Sequence, residues 1–441
     1  HQITIIDMID YQEKLTPYIQ QGVKFINTKI TKENYDSIFQ AHLKPGDCLI
    51  DLSTFLDTIS VVEWCAEHHV LNINTAINGW EDNHSDFNSV HVTINADHHD
   101  MNTLIQKYKY KKTPTIILEH GANPGLVSHL VKKALIDMSY HLEEQKKLPA
   151  NSHDFIKDNA FPELAQSLGV KVIHIAEKDT QISHSPKKHN EFVNTWSVDG
   201  LFVESICPAE LGWGSHEKVI PYEGSHFDIG NKNCVFLKKS GKNVKVKSWV
   251  PNESFIGMVI THGEAISIND YLSIKNSLGD TVYCPTVHYA YCPSNHTILS
   301  IQELEHRSLA LQSEIRIMND EIIEGQDKLG VLIMGNSYTS WWTGSLLDIH
   351  SARQMIPNQS ATTLQVAGAM IAAIQWMLQN PEEGIHYPDT LPWEPIIKIA
   401  EPYWGGYHSI STNWHPNHLK ISPFEKPKDN DWIFQNFLVY D

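Results

Sequence analysis

The first third of the chain alternates short apolar, β-branched runs with stretches of helical periodicity. Strands are predicted at residues 3–7, 23–26, 47–51, 70–74 and 115–118, and the strand at 47–51 is expected to be buried. Helices with the 3.6-residue period are predicted at 59–69 and 126–138. Strands that alternate with helices are typical of βαβ units, whose strands form a parallel sheet. We therefore expect an α/β domain of the Rossmann type over residues 1–145.

The pattern changes near residue 151. Strands are predicted at 171–175, 234–237, 243–250 and 257–261, with fewer helices between them. This indicates an α+β domain on a mixed or antiparallel sheet, which we assign to residues 146–350. The apolar, alanine-rich run 361–379 predicts a long buried helix that ends at Asn380-Pro381. We expect residues 351–441 to pack back on the first domain.

Composition narrows the possible functions. At 441 residues the chain is long enough for two domains. Its net charge of −18 disfavours nucleic acid as a partner, because phosphates require a basic face. No apolar run reaches the roughly 20 residues of a membrane span, and six cysteines without a C-x-x-C pair favour a cytoplasmic protein. The 26 histidines include no H-E-x-x-H motif and no zinc-spaced cluster, so we expect no catalytic metal.

Polar residues follow several predicted strands of the first domain. Cofactor loops lie at the carboxyl ends of parallel strands, where Asp7, Ser53, Thr54 and Thr75 fall. An acid placed like Asp7 typically binds dinucleotide ribose hydroxyls, although a strand-end acid is equally often a cap or turn residue. The G-x-G-x-x-G loop that should precede it does not occur in the chain. We therefore expect the sequence to start inside this domain, either as a fragment or as a protein that lacks the first βα unit.

Residues 174–217 alternate carboxylates with tryptophans beside short apolar runs. The segment includes Glu177, Trp196 and Glu204. A carboxylate on a buried strand is costly unless a cation pairs with it, and an indole face is the best side-chain surface for a cation. Together these residues predict a pocket for an amine, or for an iminium formed from one. The alternative is a set of structural tryptophans and rim acids.

Five motifs carry a resemblance to a known family. They are HGANPGLVSH at 120–129, HIAEKDTQ at 174–181, FVNTWSVDG at 192–200, PAELGWGSHE at 208–217 and THGEAIS at 261–267. With these motifs in this order, the chain resembles the bacterial NAD-dependent homospermidine synthases from Asp7 nearly to its C-terminus. The resemblance implies a saccharopine dehydrogenase-like fold, with a Rossmann domain, a catalytic and dimerisation domain, and a homodimer.

The resemblance also implies a transferase reaction of polyamine biosynthesis with NAD as the cofactor. A hydride passes to NAD from the amine-bearing carbon of putrescine or spermidine, and a second putrescine attacks the resulting imine. Ammonia or diaminopropane leaves, and the hydride returns to the new secondary imine to give homospermidine. NAD is regenerated in each turn.

By the same resemblance, five side chains would surround the amine. Trp196 would cover the iminium, and Glu177 and Glu204 would bind ammonium groups, with one of the two shuttling protons. His262 and Glu264 would complete the amine pocket. The alternative for His262 is a hydrogen-bonded core histidine.

Asn123 would act at the boundary between amine and cofactor. It would orient the amine or the nicotinamide carboxamide, although its place beside Pro124 is also explained by turn chemistry alone. The residues expected to bind NAD are Asp7, Ser53, Thr54, Thr75 and Asn123.

Other conspicuous residues have structural explanations. Trp213 is expected to pack rather than bind a ligand, and Glu210 and Glu217 to hold loops or an interface. Trp341 and Trp342 are expected to line either the pocket or the dimer contact.

The chain departs from the family near residue 78. A family segment that usually ends in Glu-Pro-Trp here reads Asn78-Gly79-Trp80, so one acid is absent. If that acid faces an ammonium group, amine affinity falls about tenfold or more. Residues 81–100 are also expected to lack the family's helix-forming character.

Two other functions compete with the transferase. A dehydrogenase of the saccharopine or carboxynorspermidine type would consume reduced nicotinamide and would present Arg or Lys to a substrate carboxylate. The motifs here present Glu instead. An inactive homologue that only dimerises or binds amines is the third possibility.

Overall fold

The computed structural model describes residues 2–80, 93–425 and 431–439. Its strands are β1 (Thr4–Asp7), β2 (Lys24–Asn27), β3 (Cys48–Asp51), β4 (Leu71–Asn74), β5 (Ile116–Ile117), β6 (Val172–Asp179), β7 (Ile182–Ser183), β8 (Glu191–Asn194), β9 (Pro208–Gly212), β10 (Gly224–His226), β11 (Cys234–Ser240), β12 (Lys245–Val250), β13 (Glu253–Met258), β14 (Ile274–Lys275), β15 (Thr281–Tyr283), β16 (Thr286–Cys292), β17 (Glu314–Ile317), β18 (Ile322–Glu324), β19 (Gln326–Met334), β20 (Ser340–Asp348), β21 (Ile385–His386) and β22 (His408–Thr412). Its helices are α1 (Gln12–Ile19), α2 (Tyr35–His42), α3 (Thr58–His68), α4 (Ile94–Tyr108), α5 (Leu126–Glu144), α6 (Ser152–Lys157), α7 (Phe161–Ser167), α8 (Val198–Ile206), α9 (Gly263–Tyr271), α10 (Asn295–His306), α11 (Ile349–Met355), α12 (Ala361–Gln379), α13 (Trp393–Ala400) and α14 (Phe434–Phe437).

The N-terminal region contains two parallel sheets. Strands β21, β5, β4 and β3 form one sheet in that order, and β1 pairs with β2 in a second sheet. All of these pairings are parallel, because helices between the strands return the chain to the same edge. The predicted α/β architecture is confirmed, and the carboxyl ends of β3, β4 and β5 meet at one edge.

The second domain is built on a mixed sheet, here called the central sheet. Within the described residues it has ten strands, eight of them in the order β10-β11-β9-β16-β6-β19-β20-β22. β6 runs parallel to β16 and antiparallel to β19, and β13 of the β12–β13 hairpin joins β16. The predicted α+β character of this region is confirmed.

The two faces of the central sheet carry different chemistry, because successive side chains of a strand point to opposite faces. His174 and His288 are cross-strand neighbours on β6 and β16. Their rings lie 4.8 Å from Phe437 and 5.4 Å from Phe434, respectively, in a core that residues 431–439 cover. Glu177 belongs to the opposite face, toward the core that includes α5 and α12.

The predicted long helix is confirmed as α12, which begins after the N-cap Ser360 and ends before Pro381. By length and composition it is the one helix in the described part of the chain that could cross a membrane, and 56% of its apolar window is buried inside the fold. A buried core helix meets the same criterion. Beyond it, β21 joins the parallel sheet, whereas β22 and residues 431–439 pack on the central sheet. The described residues after 350 are thus divided between the parallel sheet and the central sheet, and the domain boundaries stay predictions.

Three local predictions are wrong. Residues 47–51 were expected to form a buried strand, but Ile50 on β3 is 46% exposed because β3 is an edge strand. Helix formation begins at Ile94, within the stretch expected to be non-helical, because Thr93 caps α4; residues 81–92 lie outside the described part. The strand predicted at 257–261 lies at Glu253–Met258, since it follows β12 through a tight turn.

Candidate active site

Glu177 lies at the centre of the candidate site, on β6. Its Oε2 accepts a hydrogen bond of 2.8 Å from Nδ2 of Asn123 and another from the hydroxyl of Tyr289. Burial raises the pKa of the Glu177 carboxyl, and the hydrogen bonds from Tyr289 and Asn123 only partly oppose the shift. Two predicted residues, Glu177 and Asn123, are therefore in direct contact.

Two more buried acids lie near Glu177. Asp179 follows on β6, and Asp327 pairs with Asp179 across the antiparallel β6–β19 ladder. Asp179 accepts hydrogen bonds from Gln181 and Thr195. Cross-strand partners have Cβ atoms about 5 Å apart, so the two carboxyl groups repel each other when both are ionised.

Asp327 is a member of this cluster that the sequence did not reveal. Its Oδ2 accepts a hydrogen bond of 2.6 Å from Thr362, whereas Oδ1 has no hydrogen-bond partner among the described residues. Burial and the carboxyls of Glu177 and Asp179 raise the pKa of Asp327 well above its usual range. Within the described ranges, none of these three acids forms an ion pair with Lys, Arg or His. The three side chains form a buried cluster, here called the carboxyl cluster, in which burial opposes simultaneous ionisation.

Aromatic rings lie next to the carboxyl cluster. Tyr289 and Tyr291 stack with centroids 5.2 Å apart, and Tyr291 pairs with Glu177 in the β6–β16 register. Nε1 of Trp196 donates a hydrogen bond of 3.1 Å to the Tyr291 hydroxyl. The half-buried indole begins the turn into α8, where a Cβ on Gly200 would lie 3.0 Å from it. The indole is thus fixed next to the carboxylates, as a cation-binding surface requires.

His262 is held between two carboxylates. Its Nδ1 lies 2.8 Å from Oε2 of Glu264, and its Nε2 lies 3.5 Å from Oε2 of Glu204. Burial alone would lower the pKa of His262, but the two carboxylates outweigh it and raise that pKa well above its ordinary value. Burial raises the pKa of Glu204, which His262 partly opposes. The two carboxylates therefore favour the charged form of the imidazole.

His262 is joined to the centre of the site through Tyr289. The two rings lie 4.6 Å apart, and the Tyr289 hydroxyl binds Glu177. The structure thus brings the predicted residues together in one contiguous cluster, which comprises Asn123, Glu177, Trp196, Glu204, His262 and Glu264. Their catalytic roles stay predictions.

The loop that carries Asn123 is compact because of its glycines. Gly125 has a φ of 128°, and a Cβ there would lie 2.2 Å from the carbonyl oxygen of Gly121. The Gly121 N–H donates to the carbonyl of Pro124 over 2.8 Å, which closes the turn. α5 then begins at Leu126, so Asn123 lies just before a helix N-terminus that points toward the site.

The loops expected to hold the cofactor lie at the edge of the parallel sheet. Nδ2 of Asn78 donates to the Ser53 carbonyl over 3.1 Å, which joins the loops after β3 and β4. The Cγ2 atom of Thr75 would lie 3.6 Å from a Cβ on Gly121, so the loops after β4 and β5 are also adjacent. Thr54 is half-buried beside the exposed Ser53. This edge, next to an α-helix N-terminus, fits a dinucleotide.

Asp7 ends a strand of a different sheet from the one that carries these loops. Its Oδ1 accepts a hydrogen bond of 2.8 Å from the Ile9 N–H, as in the turn alternative. Its strand belongs to the β1–β2 sheet, which does not hydrogen-bond to β3 among the described residues. The predicted contact of Asp7 with ribose stays a prediction.

The structural explanations account for several other residues. Trp213 is buried against Phe434. Glu210 accepts hydrogen bonds from the first N–H groups of α4, and Glu217 accepts them from Phe434 N–H and Thr286. Both acids thus hold loops, because a helix N-terminus offers N–H groups without partners.

Trp341 and Trp342 line neither a pocket nor an exposed contact, contrary to both alternatives. Trp341 is buried against His141, and Trp342 is completely buried on the opposite face. Their alternation along β20 places one in each core. For metal ions, residues 2–80, 93–425 and 431–439 contain no group of three or more His, Cys, Asp or Glu that could hold one.

The chain is similar to known proteins over nearly its whole length. The family model described as the saccharopine dehydrogenase NADP binding domain matches residues 1–117, and that of the saccharopine dehydrogenase C-terminal domain matches 121–409. The homospermidine synthase of Mesorhizobium japonicum is 33% identical, over 99% of this chain and 90% of its own length. That of Blastochloris viridis is 35% identical, over 100% of this chain and 92% of its own length.

A solved structure is similar over the same extent. The crystal structure of the homospermidine synthase from Legionella pneumophila in complex with NAD has a TM-score of 0.86 and 36% identity. The match covers 99% of this chain and 91% of that chain.

Proposed function

Because this chain belongs to the homospermidine synthase family, we propose that it is an NAD-dependent aminobutyl transferase. It joins two putrescines, or spermidine and putrescine, into homospermidine with release of ammonia or diaminopropane. The observation that carries this proposal is the buried carboxyl cluster of Glu177, Asp179 and Asp327, which Asn123 contacts.

The carboxyl cluster and its neighbouring rings are suited to an alkyl diamine. Three buried carboxyl groups next to one another are unfavourable in the free protein, and an ammonium group relieves that repulsion while it forms charge-assisted hydrogen bonds. The neighbouring Tyr289, Tyr291 and Trp196 rings offer an apolar path for methylene groups. The site therefore favours a ligand with an ammonium group at each end and methylene groups between them.

The residues around His262 supply proton transfer. The attacking amine must be neutral, so a group near it must accept a proton. Glu204, whose pKa is raised by burial, lies 3.5 Å from His262, and Glu264 fixes the opposite ring nitrogen. We assign proton acceptance to Glu204, and the protonated His262, held by Glu264, stabilises and orients that carboxylate.

Trp196 protects the reactive carbon. Its indole is held by Tyr291, so a face is available to a cationic imine without rearrangement. The ring also excludes water, which would hydrolyse the imine to an aldehyde.

The residues present fit NAD at the edge of the parallel sheet. Ser53, Thr54 and Thr75 would bind the dinucleotide at the carboxyl ends of β3 and β4, and Asn123 would orient its carboxamide. NAD bound there would supply reversible hydride transfer at the amine-bearing carbon. Asp7 would bind the ribose hydroxyls.

The remaining assignments extend this proposal. The protein acts in the cytoplasm as a homodimer, without nucleic acid or membrane as a partner. Residues 1–145 form the NAD-binding domain, with part of 351–441 packed on it, and residues 146–350 form the catalytic and dimerisation domain.

The deciding experiment is incubation of the purified protein with putrescine and catalytic NAD, with products read by mass spectrometry. Homospermidine and ammonia without net NADH are expected. Trp196→Ala and Glu204→Gln should lose turnover, whereas the exposed-turn variant Asn276→Ala should keep it. Net formation or consumption of NADH would instead indicate a dehydrogenase, and a protein that retains NAD without forming homospermidine would contradict the proposal.

A further inference from the structure

The loop that carries Asn123 begins at a residue with an unusual backbone conformation. Glu119 has a φ of 48°, in the left-handed region that residues with side chains rarely adopt. Such a conformation persists only where the surroundings fix it, often at functional sites. Here the Glu119 N–H donates to Oδ1 of Asn74 over 2.8 Å, which holds the backbone at this position.

The Glu119 carboxylate is buried against α4. Its Oε2 lies 2.8 Å from Nε2 of His98, and both side chains are at most 5% exposed. Burial alone would lower the pKa of His98, but Glu119, together with Asp97 and Glu210, raises it. The contact is therefore a buried ion pair that joins α4 to the loop after β5.

The same carboxylate lies against Gly263. A Cβ at Gly263 would lie 2.3 and 2.4 Å from the two carboxylate oxygens, so the contact requires glycine. Gly263 begins α9, and a negative charge at a helix N-terminus is favourable. Its neighbours in the chain are His262 and Glu264. Glu119 thus contacts the backbone between His262 and Glu264.

Glu210 attaches α4 to the same segment from the other side. It accepts hydrogen bonds of 3.0 Å from the N–H groups of Ile94 and Asn95, and one of 2.8 Å from the Thr261 hydroxyl. Thr261 immediately precedes His262. The N-terminal turns of α4 are therefore connected to residues on both sides of His262.

We propose that the His98–Glu119 ion pair is a positioning device for the proposed transfer reaction. It fixes the Asn123 loop relative to the His262–Glu264 pair, so that orientation of the amine and removal of its proton act on the same nitrogen. His98 and Glu119 are positioning residues, since they act through Asn123 and His262. This inference rests on the function proposed above.

The test uses substitutions that keep size and remove charge. In Glu119→Gln and His98→Gln, kcat should fall about tenfold or more, because small misplacements of reacting groups are costly. The KM for putrescine should stay within about threefold, because the carboxylates on β6 and β19 do not move. The double variant should be no slower than the slower single variant, as expected for two residues that act as one pair.

Glu143→Gln is the matched control, because Glu143 forms a His–Glu pair of 2.9 Å with His153 on the surface. It should keep the parental kcat. The proposal is overturned if Glu119→Gln keeps the parental kcat. It is also overturned if kcat falls only in parallel with NAD retention and the melting temperature, because a merely structural role would give that result.

A second readout does not depend on turnover. The side-chain nitrogen resonances of His262, assigned with His262→Gln, should shift in Glu119→Gln and not in Glu143→Gln. If the parent makes no homospermidine, the proposed function fails, and these resonances alone decide the positioning role. Unchanged His262 resonances in Glu119→Gln would overturn it.

Discussion

Nδ2 of Asn123 donates a hydrogen bond of 2.8 Å to Oε2 of Glu177, and this contact joins the loop after β5 to the middle of the central sheet. Glu177 is fixed on a strand that is paired on both sides. Asn123 lies on a loop closed by Gly121 and Gly125. The cofactor edge and the amine pocket therefore meet at one side-chain contact.

Removal of that contact should reduce turnover. In Asn123→Ala, Glu177 loses a charge-assisted hydrogen bond worth about 1.5–3 kcal/mol, so kcat/KM for putrescine should fall roughly 10- to 100-fold. Steady-state kinetics measure this directly. Asn276→Ala, in an exposed turn, should leave kcat/KM unchanged. Equal kinetics in Asn123→Ala and the parent would show that Asn123 has only a turn role.

The indole of Trp196 should depend on Tyr291 for its orientation. Tyr291→Phe removes the acceptor of the Trp196 N–H and should lower kcat by about fivefold, the value of one ordinary hydrogen bond. Trp196→Phe should lose more, because phenyl is a weaker cation-binding face than indole. A Tyr291→Phe variant that is more impaired than Trp196→Phe would argue against this order.

Diamine binding should stabilise the protein more at high pH. The pKa values of Glu177, Asp179 and Asp327 are raised by burial, so these groups keep protons that the unfolded chain has already lost. Their contribution to the free energy of unfolding is fully present below their ordinary pKa values. It is lost as the pH rises through their raised pKa values in the folded protein. Putrescine should thus raise the melting temperature more at about pH 8 than at about pH 5. Asp327→Asn should reduce this difference, and an equal shift at both pH values would contradict the assignment.

Docking of residues 431–439 should weaken as pH rises. Burial raises the pKa of Glu217, which binds the Phe434 N–H, to about 7 from 4.5. The protonated form of Glu217 therefore contributes at most about 3 kcal/mol to the free energy of unfolding. This contribution is complete below about pH 4.5 and is lost as the pH rises to about 7. Glu217→Gln imitates the protonated form and should lose less stability over this range in urea unfolding. The exposed Glu314→Gln should follow the parent, and a Glu217→Gln profile parallel to the parent would rule the effect out.

Asn78 should affect the cofactor more than the amine. Its amide donates to the Ser53 carbonyl, so the residue supports the loop after β3. Asn78→Asp removes the donor, and the Kd for NAD should rise about fivefold, the value of about 1 kcal/mol. Titration calorimetry with NAD, beside the KM for putrescine, separates the two sites. A change in the amine KM alone would place position 78 at the amine pocket instead.

The sequence predicted the parts of the site that local chemistry determines. The acids and tryptophans beside strands indicated a cluster around Glu177 and Trp196, because a carboxylate is costly to bury without a partner. The βα alternation predicted the parallel sheet, whose cofactor edge follows from its topology. Helix α12 was predicted with its end, because Pro381 cannot continue a helix.

The parts that failed depend on contacts between distant residues. Asp327 lies in an ordinary strand pattern, and only pairing with β6 brings it opposite Asp179. Trp341 and Trp342 stand in a polar, glycine-containing stretch, but strands on both sides of β20 bury them. Helix α4 begins within a polar stretch because Glu210, far away in sequence, caps its first N–H groups.

The order in which the strands pair has a consequence for synthesis of the protein on the ribosome. β5 gains its outer neighbour only when residues 385–386 have emerged, and the face with His174 and His288 is covered only by Phe434 and Phe437. A domain folds as a unit once its parts are available. The four-stranded parallel sheet therefore stays incomplete until residue 386 has been translated, and the central sheet stays uncovered until residue 437 has been. During that time the nascent chain presents apolar strands to chaperones.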